Sequence, residues 1–241
     1  MKKLVFALVI IFNSVFLQAQ ENTTIVNDPN AVVRNVANFK AIDVSGSVTV
    51  YLSQGRTSSL AVSSNEEKNI EMLITKVENG VLKIYVDKSK FKISRYTGSF
   101  RAYITINQLE KLDVSGACSV KFIDPISVEN LKVDIAGASK IAGELNTKYF
   151  SADISGASSI KINGSATNAD FHVSGASTIK ALDFLIDNCK VKVSGASNAS
   201  VNVSQSLDAN ASGASVIKYT GKAQIVNSSA TGASSIKQIS E

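Results

Sequence analysis

The chain has 241 residues, with 25 Lys and Arg against 20 Asp and Glu and a net charge of +5. That length supports one or two domains with a real core, and so mild a charge singles out neither nucleic acid nor a membrane surface as the partner. One histidine and two cysteines exclude a zinc cluster built on several His and a disulfide-stapled scaffold.

Residues 1–19 read as a secretory signal peptide. Lys2 and Lys3 form a positive start, Leu4 to Phe16 is apolar, and Ala19 fits the cleavage position. The apolar run is too short for a membrane span, and no later stretch reaches the needed length. Position 20 is Gln, not Cys, so no lipid anchor is expected at the new terminus. The protein is expected to be exported, to the periplasm or outer surface of a Gram-negative-type envelope, with no integral membrane segment after cleavage.

Residues 20–37 are expected to form an extended leader, and 38–110 a β-rich N-terminal part. Asp43-Val44-Ser45-Gly46-Ser47-Val48 introduces a corner motif that recurs later. Asn65 to Ile74 is the one helical candidate, with Asn65 as cap and Glu66 and Glu67 at its positive end. Asn79-Gly80 marks a tight hairpin turn. Lys88–Arg101 departs from the pattern, with five cations, no acid and three aromatic rings. Cations interleaved with rings suit sugars or anionic groups. Lys90, Phe91, Lys92, Arg95, Tyr96, Phe100 and Arg101 are therefore the candidate ligand-binding residues.

Residues 111–241 are repetitive. Gly116, Gly137, Gly156, Gly175, Gly195, Gly213 and Gly232 recur at intervals of 18 to 21 residues. Apolar residues stand two and four positions before each glycine and four after it, save Ser228 before Gly232, with polar residues between. Alternation of period two around a fixed Gly-Ala-Ser corner means strand, turn, strand, and a period near twenty means a solenoid. The expected fold is all-β, a parallel β-helix of about 19–20-residue coils stacked with a rise of ~4.8 Å. Its corners should fall on one axial line. The Ala after each glycine is expected inside the bend, so that Ala176→Leu would harm the fold more than Ser177→Ala. The Ser two positions after the glycine is expected to form a hydrogen-bonded ladder and not to act as a nucleophile.

These repeats, with "FKAIDVSGSVTVYLSQG" (39–55), "VENGVLKIYV" (77–86) and "YITINQLEKLDVSGACSV" (103–120), resemble the putative auto-transporter adhesin head GIN domain family. The resemblance covers residues 36–241. It implies an exported bacterial protein, a right-handed parallel β-helix, an adhesin-like role and no catalytic motif.

Several residues invite chemistry. Cys118 and Cys189 lie four coils apart, ~19 Å along the axis, too far for a disulfide. They are read as free thiols, Cys189 in an inward column with Leu131, Phe150, Ala169, Leu207 and Val226. Asp113, Asp134 and Asp153 form an outward row, a weak cation candidate; a straight row supplies too few oxygens for calcium, so no metal and no cofactor are expected. His172 continues that column, with Asp153 and Ser174 nearby. Lys121, Lys161, Lys180, Lys218 and Lys237 form a basic stripe, read first as a guard against edge pairing and second as a surface for anionic glycans.

The expected function is an exported, non-enzymatic binding module recognising a glycan or envelope component, with no nucleic acid as partner. The alternatives are a polysaccharide-active lyase or hydrolase on the same fold, or an envelope scaffold without a ligand. Coils of near-constant length leave no long insertions to wall a catalytic cleft. The last coil, "TGASSIKQISE", has no polar cap, so a second copy or partner is expected to cover it.

Overall fold

The computed structural model describes residues 28–87, 89 and 98–240. The expected signal peptide and most of the leader lie outside these residues. The described residues build one continuous sheet of seventeen strands wound into a solenoid.

The repetitive part begins with β8 (Lys111–Val114) and β9 (Ser119–Phe122), joined by the Gly116 corner. It continues through β10 (Ile126–Ile135), β11 (Lys140–Ile154), β12 (Ser159–Val173), β13 (Thr178–Val193) and β14 (Asn198–Ala211). It ends with β15 (Val216–Thr220), β16 (Gln224–Ala230) and β17 (Ser235–Gln238). Every pairing along this series is parallel. The inward columns bury Ile141, Ile160, Ile179 and Ile217 after the corner and Val133, Ala152, Phe171 and Val191 before it. Phe150 meets Phe171 and Phe184 edge-on, with centroids 5.6 and 5.9 Å apart.

The corners lie on one axial line, as the period requires. Each corner N–H donates to the glycine carbonyl of the coil before it: Ala138 to Gly116 at 2.7 Å, then Ala157 to Gly137, Ala176 to Gly156 and Ala196 to Gly175, each at 2.8 Å. The burial within the corner is the reverse of the expectation. Ala117, Ala138, Ala157 and Ala176 are exposed, whereas Ser139, Ser158, Ser177, Ser197 and Ser215 are buried. The serine hydroxyls do not bond one another. Ser177 Oγ accepts from the Ser158 N–H (3.3 Å) and donates to the Gly156 carbonyl (3.3 Å), and Ser139, Ser158 and Ser197 repeat this arrangement. Removing such a hydroxyl orphans a buried N–H at a cost of about 1–3 kcal/mol. Ser177→Ala is therefore expected to lower the unfolding free energy read from urea titration by that amount, and Ala176→Leu, on an exposed site, to change it by less than about 0.5 kcal/mol.

The N-terminal part enters the same solenoid out of sequence order. β2 (Ala41–Val44) and β3 (Val48–Gln54) form a coil around Gly46, and β8 and β9 stack directly on it. Its corner is read correctly from the sequence: the Ala117 N–H donates to the Gly46 carbonyl at 2.7 Å. On the opposite side of β2 and β3 lie β6 (Val81–Val86) and β7 (Phe100–Ile106), also parallel. Two antiparallel strands close that end, β4 (Ser59–Ser64) against β7 and β5 (Leu73–Glu78) against β6. The β5–β6 hairpin turns at Asn79 and Gly80, both with positive φ.

The helical candidate shrinks to a 3₁₀ helix, Glu67–Met72, because Leu73 and Ile74 extend to pair with β6. Asn65 does not cap it; its Oδ1 accepts from the Ser99 N–H at 3.0 Å. The described end of the leader is structural. β1 (Val32–Arg34) pairs antiparallel with β4. The Arg34 guanidinium donates to the carbonyls of Leu73 (2.6 Å) and Ile70 (3.0 Å) and to Thr75 Oγ1 (2.9 Å).

At the other end the core tapers. Ser228 and Ala230 stand where earlier coils place Phe171 or Val193, and every residue of β16 is exposed. Val226 does not join the inward column: a register shift after Leu207 makes Ile225 the partner of Leu207, and Val226 is 69% exposed.

Candidate binding faces of the solenoid

Outward side chains form columns on either side of the corner line. The strands before the corner carry both signs of charge. The row Asp113, Asp134, Asp153 is interleaved with lysines: Lys111 reaches Asp113 (2.7 Å) and Asp134 (3.4 Å), and Lys132 reaches Asp134 (3.5 Å) and Asp153 (3.8 Å). Burial raises the Asp113 carboxyl pKa and Lys111 opposes it; the same contact raises the Lys111 pKa. The carboxylates are thus matched by cations of this chain, which removes the reason to seek a cation for the row. The described residues contain no cluster of metal-ligating groups.

His172 extends this face. Its Nδ1 is 3.2 Å from Asp153 and its Nε2 is 3.7 Å from Asp170. Ser174 Oγ donates to the Ile154 carbonyl at 3.4 Å. The imidazole is bracketed by two carboxylates, an arrangement that orients it but hands it no nucleophile. These columns border a shallow trough of ≈ 940 Å³ along the axis, floored by small corner residues such as Ser155 and Ser174. Cys118 and Cys189 are free, as expected; both are buried, which was expected of Cys189 alone, and burial pushes both thiols up, away from the reactive thiolate.

The strands after the corner differ. One outward column runs through Tyr103, Tyr51, Lys121, Ala142, Lys161, Lys180, Ser200, Lys218 and Lys237. The column beside it, Thr49, Ser119, Lys140, Ser159, Thr178, Asn198, Val216 and Ser235, adds one more lysine and no acid. Lys121, Lys140, Lys161, Lys180, Lys218 and Lys237 are all exposed. None of them contacts a carboxylate among the described residues. Lys161 and Lys180 are register partners, as are Lys218 and Lys237. Like charges placed so close oppose folding slightly. The strands that carry five of them (β9, β11, β12, β13 and β15) are paired on both sides, so these lysines stand on a sheet face, whereas Lys237 lies on β17, which pairs only with β15. Guarding against edge pairing therefore accounts for Lys237 and not for the other five.

At one end of this face Tyr51 and Tyr103 stack, with centroids 5.1 Å apart and planes 11° from parallel, and Lys121 Nζ lies 5.5 Å above the Tyr51 ring. Sequence reading missed this ladder, because the two tyrosines belong to strands far apart in the chain. Asp28 closes the end: it accepts from Ser63 Oγ (2.6 Å), Tyr103 OH (2.7 Å) and Arg101 (3.3 Å). Burial, followed by the bond to Asp28, pushes the Tyr103 pKa up to about 12.

The segment singled out for ligand binding follows β6 in the sequence and runs into the start of β7. Lys90, Phe91, Lys92, Arg95 and Tyr96 lie outside the described residues. Phe100 is buried in the core, which removes its ring from any exposed surface. Arg101 lies on the outward side of β7 and is held by Asp28.

A family model described as "Putative auto-transporter adhesin, head GIN domain" matches residues 38–223. Similar solved structures include a putative adhesin from Bacteroides fragilis (TM-score 0.76, 23% identity, covering 88% of this chain and 98% of that one). A putative lipid binding protein from Parabacteroides distasonis gives 0.66 at 23% identity, covering 88% and 98%. A putative adhesin from the same organism gives 0.71 at 20% identity, covering 87% and 96%. No curated protein matches. These structural likenesses establish a shared fold, and with the family match over most of its length the chain belongs to the auto-transporter adhesin head GIN domain family.

Proposed function

We propose that this protein is an exported, adhesin-like binding module, without catalytic activity, that recognises a glycan or another envelope component. The observation that carries the reading is the contrast between the two outward faces. One neutralises its own charges; the other holds six lysines that no carboxylate of the described chain answers. A surface left uncompensated in this way is complementary to an anionic partner. The non-enzymatic reading is supported by the bracketed imidazole, the diverted Ser174 hydroxyl, the buried thiols and the near-constant coil length. The cationic segment around Lys90, Lys92, Arg95 and Tyr96 belongs to the same proposal as a second contact, for its composition of cations and rings.

The test is retention of the purified mature protein on a glycan array and on washed cell-envelope fractions, alongside a variant with Lys90, Lys92 and Arg95 changed to Ser. Selective, salt-sensitive retention is expected, weaker in the variant. Absence of retention on every glycan and every envelope fraction would leave the ligand-free scaffold as the better account.

A further inference from the structure

We infer that the six-lysine face is the docking surface for a linear acidic polysaccharide that lies along the solenoid axis. This rests on the binding reading above and names its ligand class and site. Lys121 and Lys237 are six coil steps apart, so the cationic track is ~29 Å long. Along it the charges recur at one or two coil rises. An extended sugar chain advances by about one coil rise per residue, so anionic groups on successive or alternate sugars fall opposite successive lysines. The track is continuous because the paired strands keep parallel register across these two columns; the register shifts of β12–β13 and β13–β14 begin only beyond Lys161 and Ala181.

The residues between the lysines fit a carbohydrate. Ser159, Thr178, Asn198 and Ser200 offer hydroxyls and amides at the same outward level, and Ala142 leaves the backbone accessible. Such groups pair with sugar hydroxyls. Its apolar side chains are few, the half-buried Val216 and, at the rim, the exposed Leu182, too little apolar surface to enter a bilayer, which disfavours a membrane surface. Its two tyrosines are stacked on each other, and Lys121 covers Tyr51, so both faces of Tyr51 are occupied and no run of free rings is offered for successive nucleobases. Glu144, at the rim of the face, is bonded to Asn163 Nδ2 at 3.2 Å and does not reach the lysine columns.

The experiment uses the full mature chain with four probes: polygalacturonate, oligogalacturonides of graded length, neutral dextran, and phosphatidylcholine vesicles containing phosphatidylglycerol. Polygalacturonate is expected to bind and dextran is not. Affinity for the oligomers is expected to rise with length and to level off once they span Lys121 to Lys237. Changing Lys161, Lys180, Lys218 and Lys237 together to Ser is expected to weaken polygalacturonate binding by about tenfold or more, as four exposed charge contacts predict, and to flatten its salt dependence. Unchanged binding by that variant, or equal retention on the anionic vesicles, overturns the inference. If array or envelope ligands are retained while polygalacturonate is not, the binding module stands and this face assignment falls. If nothing is retained in either experiment, the functional reading itself falls.

Discussion

Gly195→Ala is expected to destabilise the solenoid by about 3–5 kcal/mol, combining left-handed backbone strain with a backbone collision that the corner cannot relieve. Gly195 has φ +74°, and a Cβ built on it would lie 2.5 Å from the Gly175 carbonyl oxygen and 3.1 Å from the Gly175 nitrogen. Those atoms belong to the coil below, and the carbonyl accepts from the Ala196 N–H (2.8 Å) and the Ser197 hydroxyl (3.1 Å), so relief requires the two coils to separate and these bonds to stretch. Gly80→Ala is the matched control. It has nearly the same φ, +75°, but open space where the Cβ would go. It should cost only the strain, about 1–2 kcal/mol. Urea unfolding of both variants separates the two contributions; equal losses would mean that corner contact is not what selects glycine.

Arg34→Ala is the second large effect. Its guanidinium is partly desolvated, which lowers its pKa, and its three hydrogen-bond acceptors carry no formal charge. It ties the leader strand to the end of the 3₁₀ helix and the start of β5. Charge-assisted hydrogen bonds of this kind contribute about 1.5–3 kcal/mol, so a loss of about 2–3 kcal/mol is expected, with early proteolysis near β1. Acid should release the same segment from its other anchor. Hydrogen bonds from Ser63 and Tyr103 hold the Asp28 carboxyl below its ordinary value of 3.8. A depressed carboxyl stabilises the fold above that value and loses the effect as pH falls through the folded pKa. Protease susceptibility near β1 should therefore rise below about pH 4, and Asp28→Asn should remove most of that dependence.

The corner columns were legible because every coil repeats them with little change in length. The Ala–Ser inversion was legible too and was misread: the serine two places after each glycine shares the parity of the inward isoleucine two places further on, and Cys118 in the first coil already marks that column as buried. The ion pairs of Lys111 and Lys132 had an equally local signal, since each lies two residues before an aspartate on the same strand face. The closed N-terminal end was not legible. β6 and β7 follow β2 and β3 in sequence but stack on the side away from β8 and β9, and no period reports that order. The Tyr51–Tyr103 stack depends on that pairing and was hidden with it. Five of the six lysines were visible as spacing and Lys140 was not, but the meaning of the face came from the sheet: only the structure shows that the strands carrying all but Lys237 have neighbours on both sides.

Each corner bonds only to the corners directly beneath and above it, and this locality has an evolutionary consequence. An in-frame duplication or loss of one whole unit between two glycines would rebuild the same corner hydrogen bonds at the new junction and leave the N-terminal closure untouched. The protein's reach is thus a quantised heritable trait, adjustable in steps of ~4.8 Å, while a partial-unit insertion would throw every later column out of register.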